Sequence, residues 1–286
     1  MKLQCRSQWF DLNVPRVMAV LNVTPDSFSD GGRFQDLNTA LTRATEMIAQ
    51  GADIIDVGGE STRPGAAPVS VEAELQRVIP VIEALHRQHP QVIISVDTSK
   101  PEVMRAAVAA GASLINDVRA LTVPGALEAA VATQAAVCLM HMQGQPSSMQ
   151  VAPQYANVTD EVAAFLRARM QACLSAGMSR DRLVIDPGIG FGKTLEHNLT
   201  LLAQLPALME LGLPLLVGVS RKSMIGALLN RTVEQRLSGG LALATASVLA
   251  GARIIRAHDV SETYDAVRIA HALLNSGYGK GHSKKN

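Results

Sequence analysis

The chain has 286 residues, 48% hydrophobic and 18% charged, which excludes a disordered chain and provides apolar material for one large core. A net charge of +1, a pI of about 7.8 and only 3% aromatic residues leave no basic stripe or stacking platform, so no nucleic-acid partner is expected. Three widely spaced cysteines, Cys5, Cys138 and Cys173, form neither a zinc motif nor a disulfide framework, and a reducing, cytoplasmic location is expected.

Residues 1–15 lack the charged start and apolar stretch of a signal peptide, and they are expected to form a short hairpin closing the bottom of the fold. From there one unit recurs: a short β-branched run, a loop, a segment of helical period, then Gly or Pro. The predicted strands are 16–22, 54–58, 92–97, 114–117, 136–140, 183–186, 215–218 and 254–257. Most are near-continuous apolar runs, as parallel strands covered on both faces read. The predicted helices are 37–50, 71–89, 101–110, 126–133, 159–176, 195–211, 233–250 and 260–276, mostly ending at Gly or before Pro. The apolar run 237–252 is shorter than the ~20 residues of a membrane span and reads as a buried helix, so no membrane partner is expected. The Gly-rich segment 277–286, with Lys280, Lys284 and Lys285, is expected to be a disordered basic tail.

Eight strand–helix pairs predict one α/β domain over residues 16–276, a (β/α)8 TIM barrel, which typically takes about 250 residues. A doubly wound open sheet is the competing architecture. It would place a Gly-rich turn after the first strand, where this chain has Asn22-Val23-Thr24-Pro25.

Polar residues fall at the predicted strand ends. In order they are Asn22; Asp56 to Glu60; Asp97; Asn116 and Asp117; His141; Asp186; Ser220-Arg221-Lys222-Ser223; and Arg256 with His258. In a barrel all of these face one mouth, where active sites of this fold sit. Strands also turn polar simply on leaving a core, and for Glu60, Asp117 and His141 either reading stands. That does not explain the sorting by charge. Asp97, Asn116 and Asp186 lie on the third, fourth and sixth strands and suit a heterocycle rich in N–H donors. Lys222, Arg256 and His258, on the seventh and eighth, suit a phosphorylated group. Loops 24–33 and 62–68 each carry an Arg and are expected to close over the mouth as lids rather than to serve as inert surface connections. The stretch Pro187-Gly-Ile-Gly-Phe-Gly-Lys-Thr194 approaches a Walker phosphate loop, but Pro187 replaces its first Gly. Its glycines are expected to allow a tight turn beside a ligand, with Phe191 as an apolar wall. No nucleophile elbow, His-Glu-x-x-His or Cys-x-x-Cys occurs. His86, His89, His197 and His271 are expected to face solvent.

Several motifs occur together in one order: Leu21-Asn-Val-Thr-Pro-Asp-Ser-Phe-Ser-Asp30, Asp56-Val-Gly-Gly-Glu-Ser-Thr-Arg-Pro-Gly65, Ser95-Val-Asp-Thr98 and Asn116-Asp117. They continue with Asp186-Pro-Gly-Ile-Gly-Phe191, Ser220-Arg-Lys-Ser223 and Arg256-Ala-His258. In this the chain resembles the dihydropteroate synthase family over nearly its whole length. The resemblance implies condensation of a dihydropterin methyl diphosphate with p-aminobenzoate, releasing pyrophosphate, in folate biosynthesis. It implies a pterin site of Thr62, Asp97, Asn116, Asp186 and Lys222, and a pyrophosphate site of Asn22, Arg63, Arg256 and His258. Asn22 would also ligate Mg²⁺. Phe28, Thr62, Arg63, Pro64, Phe191, Lys222 and Ser223 would border the p-aminobenzoate pocket, with Lys222, Arg256 and His258 carrying catalysis. Competition by sulfonamide inhibitors and a homodimeric assembly are implied as well. Ala257, where Val is common in the family, does not alter the charge. A pterin-dependent methyltransferase on the same barrel is the nearest rival, but it would not need Arg63, the 220–223 motif or Arg256 with His258. More distant rivals are an aldolase using Lys222 as a Schiff base and a non-catalytic pterin-binding barrel.

Overall fold

Short apolar segments that must bury both faces of their backbone assemble side by side into a closed parallel sheet, and amphipathic helices cover its outside. The structure, a computed structural model, describes residues 1–23, 33–60, 68–144, 149 and 152–277. The antiparallel pair β1 (Lys2–Cys5) and β2 (Gln8–Asp11) opens the chain. The barrel strands follow: β3 (Arg16–Asn22), β4 (Ile54–Gly58), β5 (Ile93–Asp97), β6 (Leu114–Asp117), β7 (Ala136–Met140), β8 (Leu183–Asp186), β9 (Leu216–Gly218) and β10 (Ile254–Ala257). All eight pair in parallel in the order β8-β7-β6-β5-β4-β3-β10-β9. The circle is completed by one bridge, Ile185 to Leu215, where the Ile185 N–H donates to the Pro214 carbonyl at 3.0 Å. Pro214 has no N–H to return, so this seam is thinner than the others.

Strand alternation sorts the side chains into two cores. Ile55, Val57, Ile94, Val96 and Ile115 face outward into the large core beneath the helices. Met18, Ile54, Ile93, Leu114, Val184, Leu216 and Ile254 face inward and form an apolar floor, onto which Leu3, Cys5 and Leu12 of the N-terminal segment pack. The expected hairpin therefore plugs the barrel bottom. Two residues further along the same inward faces stand Asp56, Ser95, Asn116, Asp186 and Arg256. Backbone register sets Asn22 beside Gly58, Gly58 beside Asp97 and Asp97 beside Asn116, so the polar layer lies directly above the floor.

The helices are α1 (Arg33–Ala49), α2 (Val71–Gln88), α3 (Pro101–Ala110), α4 (Ala126–Thr133), α5 (Val158–Ser175), α6 (Leu195–Ala203), α7 (Leu205–Leu208), α8 (Ser223–Leu229), α9 (Leu237–Leu249) and α10 (Val260–Asn275). The predicted helix 195–211 is broken after Ala203, because Pro206 lacks the N–H that would continue it and instead starts α7. The predicted helix 233–250 is likewise a short 3₁₀ turn followed by α9. Helix α8 has no counterpart among the predicted elements. Among the described residues, no helix is long and apolar enough to cross a membrane.

Candidate active site

The polar layer is built around one guanidinium. Arg256 on β10 donates from Nε to Asp56 Oδ2 at 2.7 Å and from Nη2 to Asp97 Oδ2 at 2.8 Å. Asp56 Oδ2 also accepts from Asn116 Nδ2 at 2.9 Å, while its buried Oδ1 and the nearby Ser95 hydroxyl have no partner among the described residues. Asp186 accepts the Gly188 N–H at 2.7 Å. Asp97, Asn116 and Asp186 are all buried at or near the ends of β5, β6 and β8, where the sequence predicts them. Burial pushes the Asp97 carboxyl up to about 7 against the pull of Arg256, and Asp56 adds to the rise. Asp186 is also raised by burial, opposed by the Gly188 N–H and by Lys222. Burial works against the Arg256 charge, but Asp56 and Asp97 outweigh it and hold the guanidinium firmly protonated. Carboxylates thus outnumber cations here and retain acceptor capacity, which favours a ligand edge made of N–H donors.

The segment after β8 folds back as a tight turn. Gly188 has φ 67°, and a Cβ there would lie 1.9 Å from the His141 carbonyl oxygen, so only glycine fits. A Cβ at Gly190 would crowd Lys222 Cδ at 3.1 Å, so the missing side chain makes room for that lysine. Lys222 Nζ stands 4.2 Å from the Phe191 ring centroid, a cation–π contact beside the carboxylates. Burial draws the Lys222 ammonium down to about 8, with Asp186 opposing. Lys193, the residue that would serve a Walker loop, does not reach the mouth. It is buried, and its Nζ lies 3.0 Å from each of His141 Nδ1, the Gly188 carbonyl and the Phe191 carbonyl. A Walker-type phosphate role for this turn is thereby excluded. Burial lowers the Lys193 ammonium to about 7, with Asp186 opposing and Lys222 assisting. His141 is held down at about 3 by burial and by Lys193, so it is a neutral interior partner rather than part of the mouth.

The opposite side is formed by the ends of β9 and β10. The half-buried His258 ring places Nδ1 3.2 Å from Ser220 Oγ, which also accepts the His258 N–H at 3.2 Å. Burial, Arg256 and Arg221 together lower His258 to about 4. His258 is therefore neutral near pH 7, which corrects its grouping with the cations. Arg221 is engaged by Asp259, Nε to Oδ2 at 3.1 Å. Asn22 is half-buried at the end of β3, and Ser223 is exposed at the start of α8.

Glu60 and Asp117 prove architectural. Asp117 accepts the N–H groups of Arg119 at 2.8 Å and Leu121 at 2.7 Å, shaping the turn after β6. Glu60 pairs with Lys100, which also pairs with the buried Glu74, and it accepts the Val69 N–H at 3.3 Å. Of the histidines expected to face solvent, His86 is exposed. His89, His197 and His271 are half-buried, with His197 completing the capping box of α6. Phe28, Thr62, Arg63 and Pro64 lie outside the described residues, as do 24–32 and 62–67 of the expected lids and 278–286 of the tail. Among the described residues, no group of three or more His, Cys, Asp or Glu is arranged to hold a metal ion. The residue that sequence reasoning misses as an organiser is Asp56, whose position two before Gly58 on an inward face is the available signal.

Residues 18–258 match the family described as pterin binding enzyme. The dihydropteroate synthase of Escherichia coli K12 is 56% identical over 280 residues, covering 98% of this chain and 99% of that protein. The fold is similar to that of Yersinia pestis dihydropteroate synthase in a sulfonamide drug complex, with TM-score 0.91 and 52% identity over 96% of this chain and 100% of that one. It is similar also to Xanthomonas albilineans dihydropteroate synthase with 4-aminobenzoic acid, with TM-score 0.89 and 50% identity over 96% of this chain and 98% of the other.

Proposed function

The chain belongs to the pterin-binding enzymes as a member of the dihydropteroate synthase family, and from this we propose how the barrel mouth divides the reaction. The activity is the transfer of the whole (dihydropterinyl)methyl group from diphosphate to p-aminobenzoate, giving 7,8-dihydropteroate and pyrophosphate in folate biosynthesis. In our reading Asp97, Asn116, Asp186 and Lys222 hold the pterin, with Thr62 beside them. The supporting observation is the buried acceptor array, in which Asp186 accepts the Gly188 N–H through Oδ1 and keeps lone pairs for a ligand. A 2-amino-4-oxo pterin edge offers adjacent N–H donors of the kind a carboxylate accepts in pairs.

Arg256 and His258, with Asn22 and with Arg63 from the second loop, receive the diphosphate. Arg256 can exchange a carboxylate for a phosphate oxygen without leaving its place between the two halves of the mouth. His258, neutral when the site is free of anion, serves as a hydrogen-bond donor and gains basicity beside negative oxygens. Asn22 is the residue that would hold Mg²⁺. Its single amide oxygen fits an ion that takes most of its ligands from phosphate and water, and the ion when bound supplies charge neutralisation at the leaving group. Phe191, Lys222 and Ser223 form the acceptor subsite, closed by Phe28, Thr62, Arg63 and Pro64. Sulfonamides compete in the same subsite.

The chemistry needs positioning and charge stabilisation rather than a protein nucleophile. The bond between the methylene carbon and the bridging oxygen breaks, and its electron pair leaves with pyrophosphate. The methylene cation is delocalised into the pterin, beside the carboxyl groups of Asp97 and Asp186. The arylamine lone pair then forms the new carbon–nitrogen bond and its surplus proton passes to water. We place the enzyme in the cytoplasm, consistent with three buried free cysteines. We also propose a homodimer, supported by Ile269 and Leu273, exposed apolar residues one turn apart on α10.

Titration with the two halves of the substrate tests this division. Asp186→Asn should weaken binding of a bare hydroxymethylpterin by roughly 10- to 100-fold, the loss expected for a charged hydrogen bond. His258→Gln should instead weaken inorganic pyrophosphate and spare the pterin. If each variant weakens both ligands alike, the division is wrong.

A further inference from the structure

Lys193 has no part in the reaction as derived, yet it is only 3% exposed. A buried ammonium is costly unless all its donors are met. Here they are met by neutral groups. His141 Nδ1, the Gly188 carbonyl and the Phe191 carbonyl each lie 3.0 Å from Nζ, and the His141 carbonyl lies at 3.5 Å. An ammonium has three N–H donors and no acceptor, so three acceptors at one distance match it. His141 accepts at Nδ1, which puts its own ring proton on Nε2.

These contacts join the end of β7 to two points of the turn after β8. The rest of that turn is held independently. Asp186 takes the Gly188 N–H, Asn198 Oδ1 takes the Gly190 N–H at 2.7 Å, and the Tyr155 hydroxyl donates to the Gly192 carbonyl at 2.8 Å. Among the described residues, the grip on the Phe191 carbonyl comes from Lys193. The Phe191 ring in turn carries the Lys222 ammonium, 4.2 Å from its centroid.

We propose that Lys193 is a positioning residue for the acceptor subsite: by holding the Phe191 backbone from below, it fixes the aromatic wall and the lysine above it against which p-aminobenzoate packs. This rests on the assignment of Phe191 to that subsite. Lys193 touches neither substrate. Its larger effect falls on p-aminobenzoate, because the pterin, which shares Lys222 with that subsite, is held also by Asp97 and Asn116 on β5 and β6 and by Asp186 on β8.

Steady-state kinetics with each substrate varied in turn test the proposal. Lys193→Met keeps the stem and removes the donors. It should raise KM for p-aminobenzoate and the inhibition constant of a sulfonamide together, by about tenfold or more, while KM for the pterin diphosphate stays within about twofold. Parallel increases in both KM values, or a fall in kcat alone, would overturn it, since general loosening of the fold gives that pattern. Phe191→Leu is the companion variant. If it leaves the p-aminobenzoate KM unchanged, the subsite assignment falls and this inference with it. If Phe191→Leu moves that KM and Lys193→Met does not, only the role of Lys193 falls. Should Lys193→Met not fold, His141→Phe decides, because it leaves the lysine in place and removes one acceptor. It should produce a smaller change of the same sign, and an unchanged p-aminobenzoate KM would overturn the proposal.

Discussion

His141 and Lys193 show what a sequence reveals about single residues and what it does not. Asp97, Asn116 and Asp186 stand at or near the ends of strands whose alternation is already fixed by Ile93, Leu114 and Val184 on the same inward faces, so their direction is legible two to four residues in advance. His141 stands just past β7 and Lys193 lies in a turn, where no such periodicity exists, and both point into the interior. Interior placement has a thermodynamic consequence for the histidine. Its folded value of about 3 lies below the ordinary 6.5, so between those values the unfolded chain binds a proton that the native protein refuses. Stability contributed by keeping His141 neutral is therefore present above pH 6.5 and is lost as the pH falls toward 3. Urea denaturation from pH 6 to 4 should show His141→Phe flattening the acid slope by up to about 1.4 kcal/mol per pH unit. A residual slope should persist, because His258 is lowered in the same direction. An unaltered slope would show that His141 titrates as an exposed histidine does.

The elements themselves were legible from pattern almost throughout: the strand limits predicted from apolar runs differ from the observed ones by at most one residue. The failures are local and physical. Pro206 breaks what reads as one apolar helix, and α8, only seven residues long, carries no Gly or Pro at its limits to announce it. Ion-pair clamps between elements are also invisible in sequence, because nothing in the spacing brings Glu60, Glu74 and Lys100 together. In the fold Lys100, just ahead of α3, bridges Glu74 on α2 and Glu60 after β4. Glu74 is fully buried, so removing the cation it pairs with leaves an uncompensated charge. Lys100→Met should cost about 3 kcal/mol in chemical denaturation. The double variant Lys100→Met with Glu74→Leu should recover part of that loss. If the double variant is no more stable than Lys100→Met alone, the clamp is not what sustains this corner.

At the scale of the whole molecule, one periodicity produces both ends of the barrel. The inward faces begin as an apolar floor sealed by Leu3, Cys5 and Leu12, and they finish as the ring of Asp56, Asp97, Asn116, Asp186 and Arg256. The single-domain barrel and its polar mouth were therefore readable from where apolar runs turn polar, whereas the substrates were readable only through resemblance to a family. A mouth in which Asp97 and Asp186 line one side, with the Arg256 guanidinium reaching across from β10, suits the separation of charge proposed above. In the proposed division it would stabilise a methylene cation on one side and pyrophosphate on the other. The most direct test of that claim uses pterin diphosphate isotopically labelled at the oxygen bridging carbon and phosphorus, held on the enzyme without p-aminobenzoate. If pyrophosphate departs before the arylamine attacks, recovered substrate will carry label in the non-bridging phosphate positions. Label that stays at the bridge, in enzyme that turns over normally once p-aminobenzoate is added, would contradict the account.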